Sequence, residues 1–197
     1  MHAVPNSRAS QRGVVLIFTL IILLILTIGA VALMRSLNTT LYGAGNLAFR
    51  RDLMNQGELA VANVETEFSS GDLSTSASTL NNVVADNYSA TMLPSNSEGV
   101  PTALLTTTLS TSVGTHADLA GATSDVSIRY VIDRLCSQTG TPTGALCVQS
   151  TASPTGGTGG NTAVVKPPTS TVYRLSVRVT GARSTQVFLQ TTFTRAD

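Results

Sequence analysis

Two cysteines, Cys136 and Cys147, stand with ten residues between them, among which are Gly140, Pro142 and Gly144. Thiols in such a pair can bridge, bind metal or cycle redox. A metal site needs further ligands, and the chain offers only His2 and His116 as histidines. Redox pairs have CxxC spacing. In an exported chain the pair reads as a disulfide, contributing about 2–3 kcal/mol through loop closure. His116 near Asp118, amid many serines, has the residue types of a nucleophilic triad, but no nucleophile elbow frames a serine. These residues are expected in solvent-exposed loops. Asp118, Asp125 and Asp133 supply carboxylates for calcium without the spacing of a ligand loop. The tract TGGTGGNTA at 155–163 has no Lys-Ser/Thr after it and no strand-to-helix setting, so it reads as a flexible loop, not a phosphate cradle. No catalytic residue, cofactor or metal is predicted.

The elements that carry these residues begin with residues 14–34, VVLIFTLIILLILTIGAVALM, which contain no charge. As a helix they span about 31 Å, close to the ~30 Å hydrocarbon core of a bilayer. Thr19 and Thr27 can bond back to carbonyls one turn earlier. A buried soluble helix of this length would carry a polar face. A plain single-pass anchor or uncleaved signal would give the same pattern. Arg8 and Arg12 precede the span with no acid in residues 1–13, while Arg35, Arg50 and Arg51 follow it. The positive-inside rule is therefore nearly balanced and does not orient the segment.

The whole chain of 197 residues carries a net charge of +1. Without residues 1–13, which hold two arginines and no acid, ten basic and eleven acidic residues remain, a net −1. No basic field exists to hold nucleic acid. Charged residues make up 12%, against about 25% in average soluble domains. Ser, Thr, Asn and Gly replace them, which suits an exported surface protein.

The helix is expected to run on from Met34 to about residue 68, since no proline occurs between Pro5 and Pro94. Leu47, Met54, Val61 and Phe68 recur every seven residues, with Gly57 and Val64 on nearby turns, giving one apolar stripe. Gly43 and Gly45 suggest either a bend or the close approach of another backbone. Residues 69–125 are rich in Ser, Thr and Asn; a short helix near 75–85 and an irregular strand at Thr106-Thr107-Thr108 are expected. Strand periodicity is plain in 126–134, where even positions through 132 are apolar, and in 173–180, where odd positions are. Residues 185–194 place Val187, Leu189 and Phe193 on one face. The turn Gly181-Ala182-Arg183-Ser184 makes the last two strands a hairpin. Arg174 and Arg178 are expected on the solvated sheet face. The stripe ending at Phe68 is the obvious cover for the apolar one. The fold class is therefore α+β: a long N-terminal helix on a C-terminal antiparallel sheet.

Together with the junction Ser10-Gln11-Arg12-Gly13, this layout resembles type IV pilins and the pseudopilins of type II secretion. It is most similar to the PilX group of minor pilins. The resemblance rests on Gln11-Arg12-Gly13 before an apolar run, on 47–65, on IRYVIDRLC at 128–136 and on the hairpin 173–193. It covers about half of the chain. It implies a leader 1–13 cut between Gly13 and Val14, an assembly and transmembrane helix 14–34 bearing Phe18, Leu20, Leu24 and Gly29, an amphipathic half 35–68, and a head domain 69–197. It also implies methylation of the new N-terminus, a cytoplasmic N-terminus in the bacterial inner membrane, and later residence in a surface pilus. Prepilin peptidase, other minor pilins, the major pilin and a tip adhesin are the implied partners. Two departures matter. Val14 stands where major pilins have Phe or Met, and Phe18 stands where they carry a Glu that pairs with a neighbour's N-terminal amine. A chain without that acid suits a rare subunit that primes or caps a fibre. A secretion pseudopilin, or an anchored extracytoplasmic module of another role, is the alternative.

Overall fold

The computed structural model describes residues 12–151 and 169–196. The first eleven leader residues, the glycine tract 155–163 and Pro167-Pro168 lie outside them. The chain divides into two units, Met1–Phe49 and Arg50–Asp197. Helix α1, Arg12–Ser69, contributes to both.

In the first unit every residue from 13 to 48 is exposed. The hydroxyls close on their own helix. Thr19 donates to the Leu16 carbonyl at 2.9 Å, Thr27 to Leu24 at 2.8 Å, and Thr39 and Thr40 to Arg35 and Ser36 at 3.0 Å. This satisfies them without water. Helical structure passes unbroken through Gly43 and Gly45, and nothing lies within 4 Å of a Cβ built at either. The helix is therefore continuous there, and no other part of this chain packs against either glycine.

In the second unit, α1 is followed by 3₁₀ turns at Ser78–Leu80 and Val84–Asp86, in the region where a short helix is expected from sequence. Then come β1 (Tyr88–Ser89), α2 (Thr102–Leu105), β2 (Leu119–Ala120), β3 (Ser127–Arg134), β4 (Gln149–Thr151), β5 (Thr169–Thr180) and β6 (Gln186–Ala196). Strand β5 is central. It pairs antiparallel with β3 and β4 on one side and with β6 on the other. The far edge of β3 takes β2 antiparallel at Ile128 and β1 parallel at Ile132, so the sheet is mixed at that edge. The β5–β6 hairpin turns through Arg183 and Ser184 at φ 55° and 58°, whereas Gly181 keeps φ −110°.

Period-2 alternation places Ile128, Tyr130 and Ile132 opposite Val179, Val177 and Leu175, all buried. Val187, Leu189 and Phe193 extend this face and are half-buried. Helix α1 covers it with Leu53, Gly57, Ala60 and Val64. The Phe68 ring meets Phe193 and Tyr173 edge-on at 5.0 and 5.1 Å. Of the stripe expected from sequence, Gly57, Val64 and Phe68 thus meet the sheet, whereas Leu47 is 53% and Met54 46% exposed. Met54 lies about 100° around the helix from Leu53. The sheet instead meets the face whose small residues let it approach. Gln56, buried on this helix, donates to Asp52 at 2.8 Å and accepts from the Ala122 amide at 2.9 Å.

The opposite sheet face is open along β6, where Gln186, Phe188, Gln190, Thr192 and Thr194 are exposed, but it is covered over β3 and β5. Segment 93–107 lies over these two strands, held by three arginines. Arg174 donates to Asp133 (2.6 and 2.9 Å) and to the Leu93 carbonyl at 3.2 Å. Arg178 donates to the Leu104 and Thr106 carbonyls at 2.5 and 2.8 Å. Arg129 reaches the Thr107 carbonyl at 2.7 Å. This corrects the expectation that Arg174 and Arg178 face water. It also explains why Thr106-Thr107-Thr108 forms a bend and no strand: guanidinium groups, not a neighbouring strand, take the carbonyls of Thr106 and Thr107.

Candidate functional site

The residues with chemical potential in the head are engaged structurally, save Asp125, which is exposed. Cys136 and Cys147 form a disulfide between facing backbones, joined by the Val148 amide to the Leu135 carbonyl (2.8 Å) and the Ser137 amide to Leu146 (2.8 Å). The bridge fastens the end of β3 to the approach of β4. Beside it Arg134, fully buried, donates to the carbonyls of Ala90 (3.0 Å) and Gly140 (2.8 Å). Sequence reasoning missed this role of Arg134. Its even position in β3, continuing the buried series 128, 130, 132, was the available signal.

His116 and Asp118 line one hollow of about 310 Å³ but do not form a catalytic pair. The His116 ring lies 2.7 Å from the Ala117 carbonyl through Nδ1. Asp118 accepts from Arg129 at 2.6 and 2.7 Å and from the Ser127 hydroxyl at 2.8 Å. Burial alone would raise the Asp118 carboxyl, but hydrogen bonds from Arg129 and Ser127 hold it below the usual carboxylate range. Burial and the neighbouring Arg129 charge lower Arg178 in turn. Asp133 is committed to Arg174 and to the Leu93 amide at 2.9 Å. Asp118 and Asp133 thus serve different arginines, and no group of three His, Cys, Asp or Glu suited to a metal is present among the described residues.

A polar connection joins helix to sheet nearby. Asn63 donates to the Tyr130 hydroxyl and Asn87 to the Tyr130 carbonyl, each at 3.0 Å. Burial pushes the Tyr130 phenol up to about 12. Asn87 holds φ 53°, and its side-chain oxygen accepts the His116 amide at 3.0 Å.

A groove of about 450 Å³ runs between α1 (Val61, Val64, Phe68) and the sheet (Leu175, Thr191, Phe193). Its walls are largely apolar and hold no nucleophile–base pair.

The largest feature available for interaction is the exposed helix of the first unit. Val14, Phe18, Leu20 and Leu24 are all more than half exposed, and nothing lies within 4 Å of a Cβ at Gly29. The helix is long and apolar enough to cross a membrane, with a mean hydropathy of 3.2 over its most apolar window. Gly13 is already helical, and no acid occupies the first turn. Such a surface binds lipid or other apolar helices by area and shape, not by directed chemistry. No protein-family model, curated protein or solved structure matches the chain.

Proposed function

We propose that the chain is a minor pilin of the PilX-like kind, a rare subunit that primes or caps a type IV pilus by helix packing and subunit contacts. The observation that carries this reading is one helix with two fates. Its first stretch, 13–48, is exposed throughout, and its last turns form the floor of an α+β head. A bilayer before assembly, and neighbouring helices afterwards, are environments that such a surface suits. The sequence adds the junction Gln11-Arg12-Gly13 ahead of the apolar run, and Phe18 in place of the acid of major pilins. In this reading prepilin peptidase cuts after Gly13, Val14 becomes the methylated N-terminus, and the protein acts without catalysis. Its partners are other minor pilins, the major pilin and a tip adhesin, first in the inner membrane and then in the pilus.

The intact mass and N-terminal sequence of the membrane-extracted protein, with and without active prepilin peptidase, test this. A mature chain starting at Val14 only when the peptidase is active supports the reading. A retained leader, or cleavage beyond Met34, overturns it. Deletion of the protein should then reduce surface pili; normal pili with impaired secretion would favour a secretion pseudopilin.

A further inference from the structure

Strand β6 forms one edge of the sheet and, among the described residues, pairs only with β5. The direction of its backbone groups follows from the register. The Gly181 amide donates to the Thr185 carbonyl at 2.8 Å, and the antiparallel pairing then steps in twos. The odd residues of β6 therefore bond to β5, while the N–H and C=O groups of Gln186, Phe188, Gln190, Thr192 and Thr194 point away from the sheet. The other side of β5 agrees, since its even residue Val172 donates to Val148 and accepts from Leu135 there. None of the five outward amides has a hydrogen-bond partner among the described residues. Exposed sheet edges are ordinarily blunted by charge, proline or a bulge. This one is not: residues 184–194, STQVFLQTTFT, contain no Asp, Glu, Lys, Arg, Pro or Gly, and the register with β5 runs unbroken from Gln186 to Ala196.

We infer that this edge takes up a β-strand from another protein, an extended segment that carries lysine or arginine beside apolar residues. The edge itself selects an extended backbone. Outward donors and acceptors at strand spacing are matched by another strand, and not by lipid or by a helix, whose backbone groups are bonded internally. Two hollows select the side chains. One, of about 450 Å³, opens on the helix face between α1 and Phe193; the other, of about 310 Å³, lies on the opposite face against Phe188 and Gln190. An added strand sends successive side chains to opposite faces, so a single segment can enter both. Charge selects the sign. Glu65 lines the first hollow and Glu98 the second, and neither is in an ion pair among the described residues. Arg195, beside the first, is committed to the carbonyls of Leu73 and Ser74. A basic side chain on the added strand complements both acids. A second β6 lacks it, having no base between Arg183 and Arg195. The whole surface lies in the second unit, so the pairing holds whatever role the N-terminal helix has.

Labelled peptides titrated into the detergent-solubilised full-length chain test this. The probe is a short peptide of alternating valine and threonine with two lysines. One twin carries glutamate in place of lysine, and another is N-methylated throughout so that it cannot pair as a strand. The lysine peptide is expected to bind about tenfold or more tightly than the glutamate twin, and the N-methylated twin not at all. Residue-resolved hydrogen exchange should slow at Phe188, Gln190, Thr192 and Thr194 only when the lysine peptide is present, while their odd-numbered neighbours are slow already. Thr192→Pro removes one outward amide and leaves the β5 ladder intact; it is expected to weaken binding about tenfold, with Thr192→Ala near wild type. Glu65→Lys with Glu98→Lys leaves the backbone unaltered and should reverse the preference toward the glutamate twin, which keeps the test decisive if Thr192→Pro does not fold. Equal binding of the lysine and N-methylated peptides, no saturable binding of the lysine peptide, or an unchanged preference in the double variant overturns the inference. Protection of the even amides that appears without peptide as protein concentration rises identifies a second copy as the occupant and also overturns it.

Discussion

Gly57 of α1 and Leu189 of β6 set the helix-to-sheet spacing. A Cβ at Gly57 would fall 2.8 Å from Leu189 Cδ1 and 3.1 Å from Val179 Cγ2. Two effects oppose each other at this site. Alanine gains roughly 1 kcal/mol in helix propensity, while overpacking costs about 1–3 kcal/mol. Leu189 can yield by rotating; β-branched Val179 yields less. Gly57→Val is expected to destabilise by about 1–3 kcal/mol. In a Leu189→Ala background, Gly57→Ala should become stabilising. Thermal unfolding of the detergent-solubilised full chain, arranged as a double-mutant cycle, reads both; additive effects would contradict the contact.

The two ion pairs on the outer sheet face differ in burial and should differ in strength. The Asp133 side chain is fully buried against Arg174, whereas the Asp118 side chain keeps 27% exposure against Arg129. Asp133→Ala strands a partly buried guanidinium and frees the Leu93 amide, at an expected cost of about 3–5 kcal/mol. Asp118→Ala should cost about 1 kcal/mol or less. Equal losses in denaturant melts would show that segment 93–107 is not held as described.

Reduction should loosen the head. The Cys136–Cys147 bridge spans a sequence separation of 11, so Cys136→Ser/Cys147→Ser is expected to lose about 2–3 kcal/mol. A melting temperature that does not respond to reductant would exclude a stabilising role.

Asp86 gives the head a pH response of opposite sign to that of Asp118. Burial, then the charges of Glu67 and Asp72, raise its carboxyl above 3.8, and Oδ2 has no hydrogen-bond partner. A raised folded value means that ionisation opposes folding. This contribution to stability therefore grows as pH falls through the folded value toward 3.8. Asp86→Asn should be more stable than wild type at neutral pH, with the gap closing on acidification. Asp118, held low, contributes stability above its unfolded value that disappears as pH falls through its folded value. Melting curves of wild type, Asp86→Asn and Asp118→Asn across this range separate the two; a widening Asp86→Asn gap in acid would refute the assignment.

Much of the architecture is written locally. An uncharged run of bilayer length, a proline-free continuation and period-2 strands around a four-residue turn each depend on neighbours in sequence, so the long helix and the β5–β6 hairpin were legible. The cysteine spacing likewise made the bridge legible. Which helix face is buried was legible in part: Gly57, Val64 and Phe68 meet the sheet as expected, but Leu47 and Met54 do not. Leu47 and Met54 are more apolar than Gly57 and Ala60, yet close approach to a sheet favours small residues over greasy ones. Alternation along β5 correctly separated its two faces, but alternation cannot reveal a third layer. Arg174 and Arg178 read as solvated because the segment that covers them lies some 70 to 80 residues earlier in sequence. Only tertiary packing brought those carbonyls over the sheet and turned surface charges into the ties that hold it.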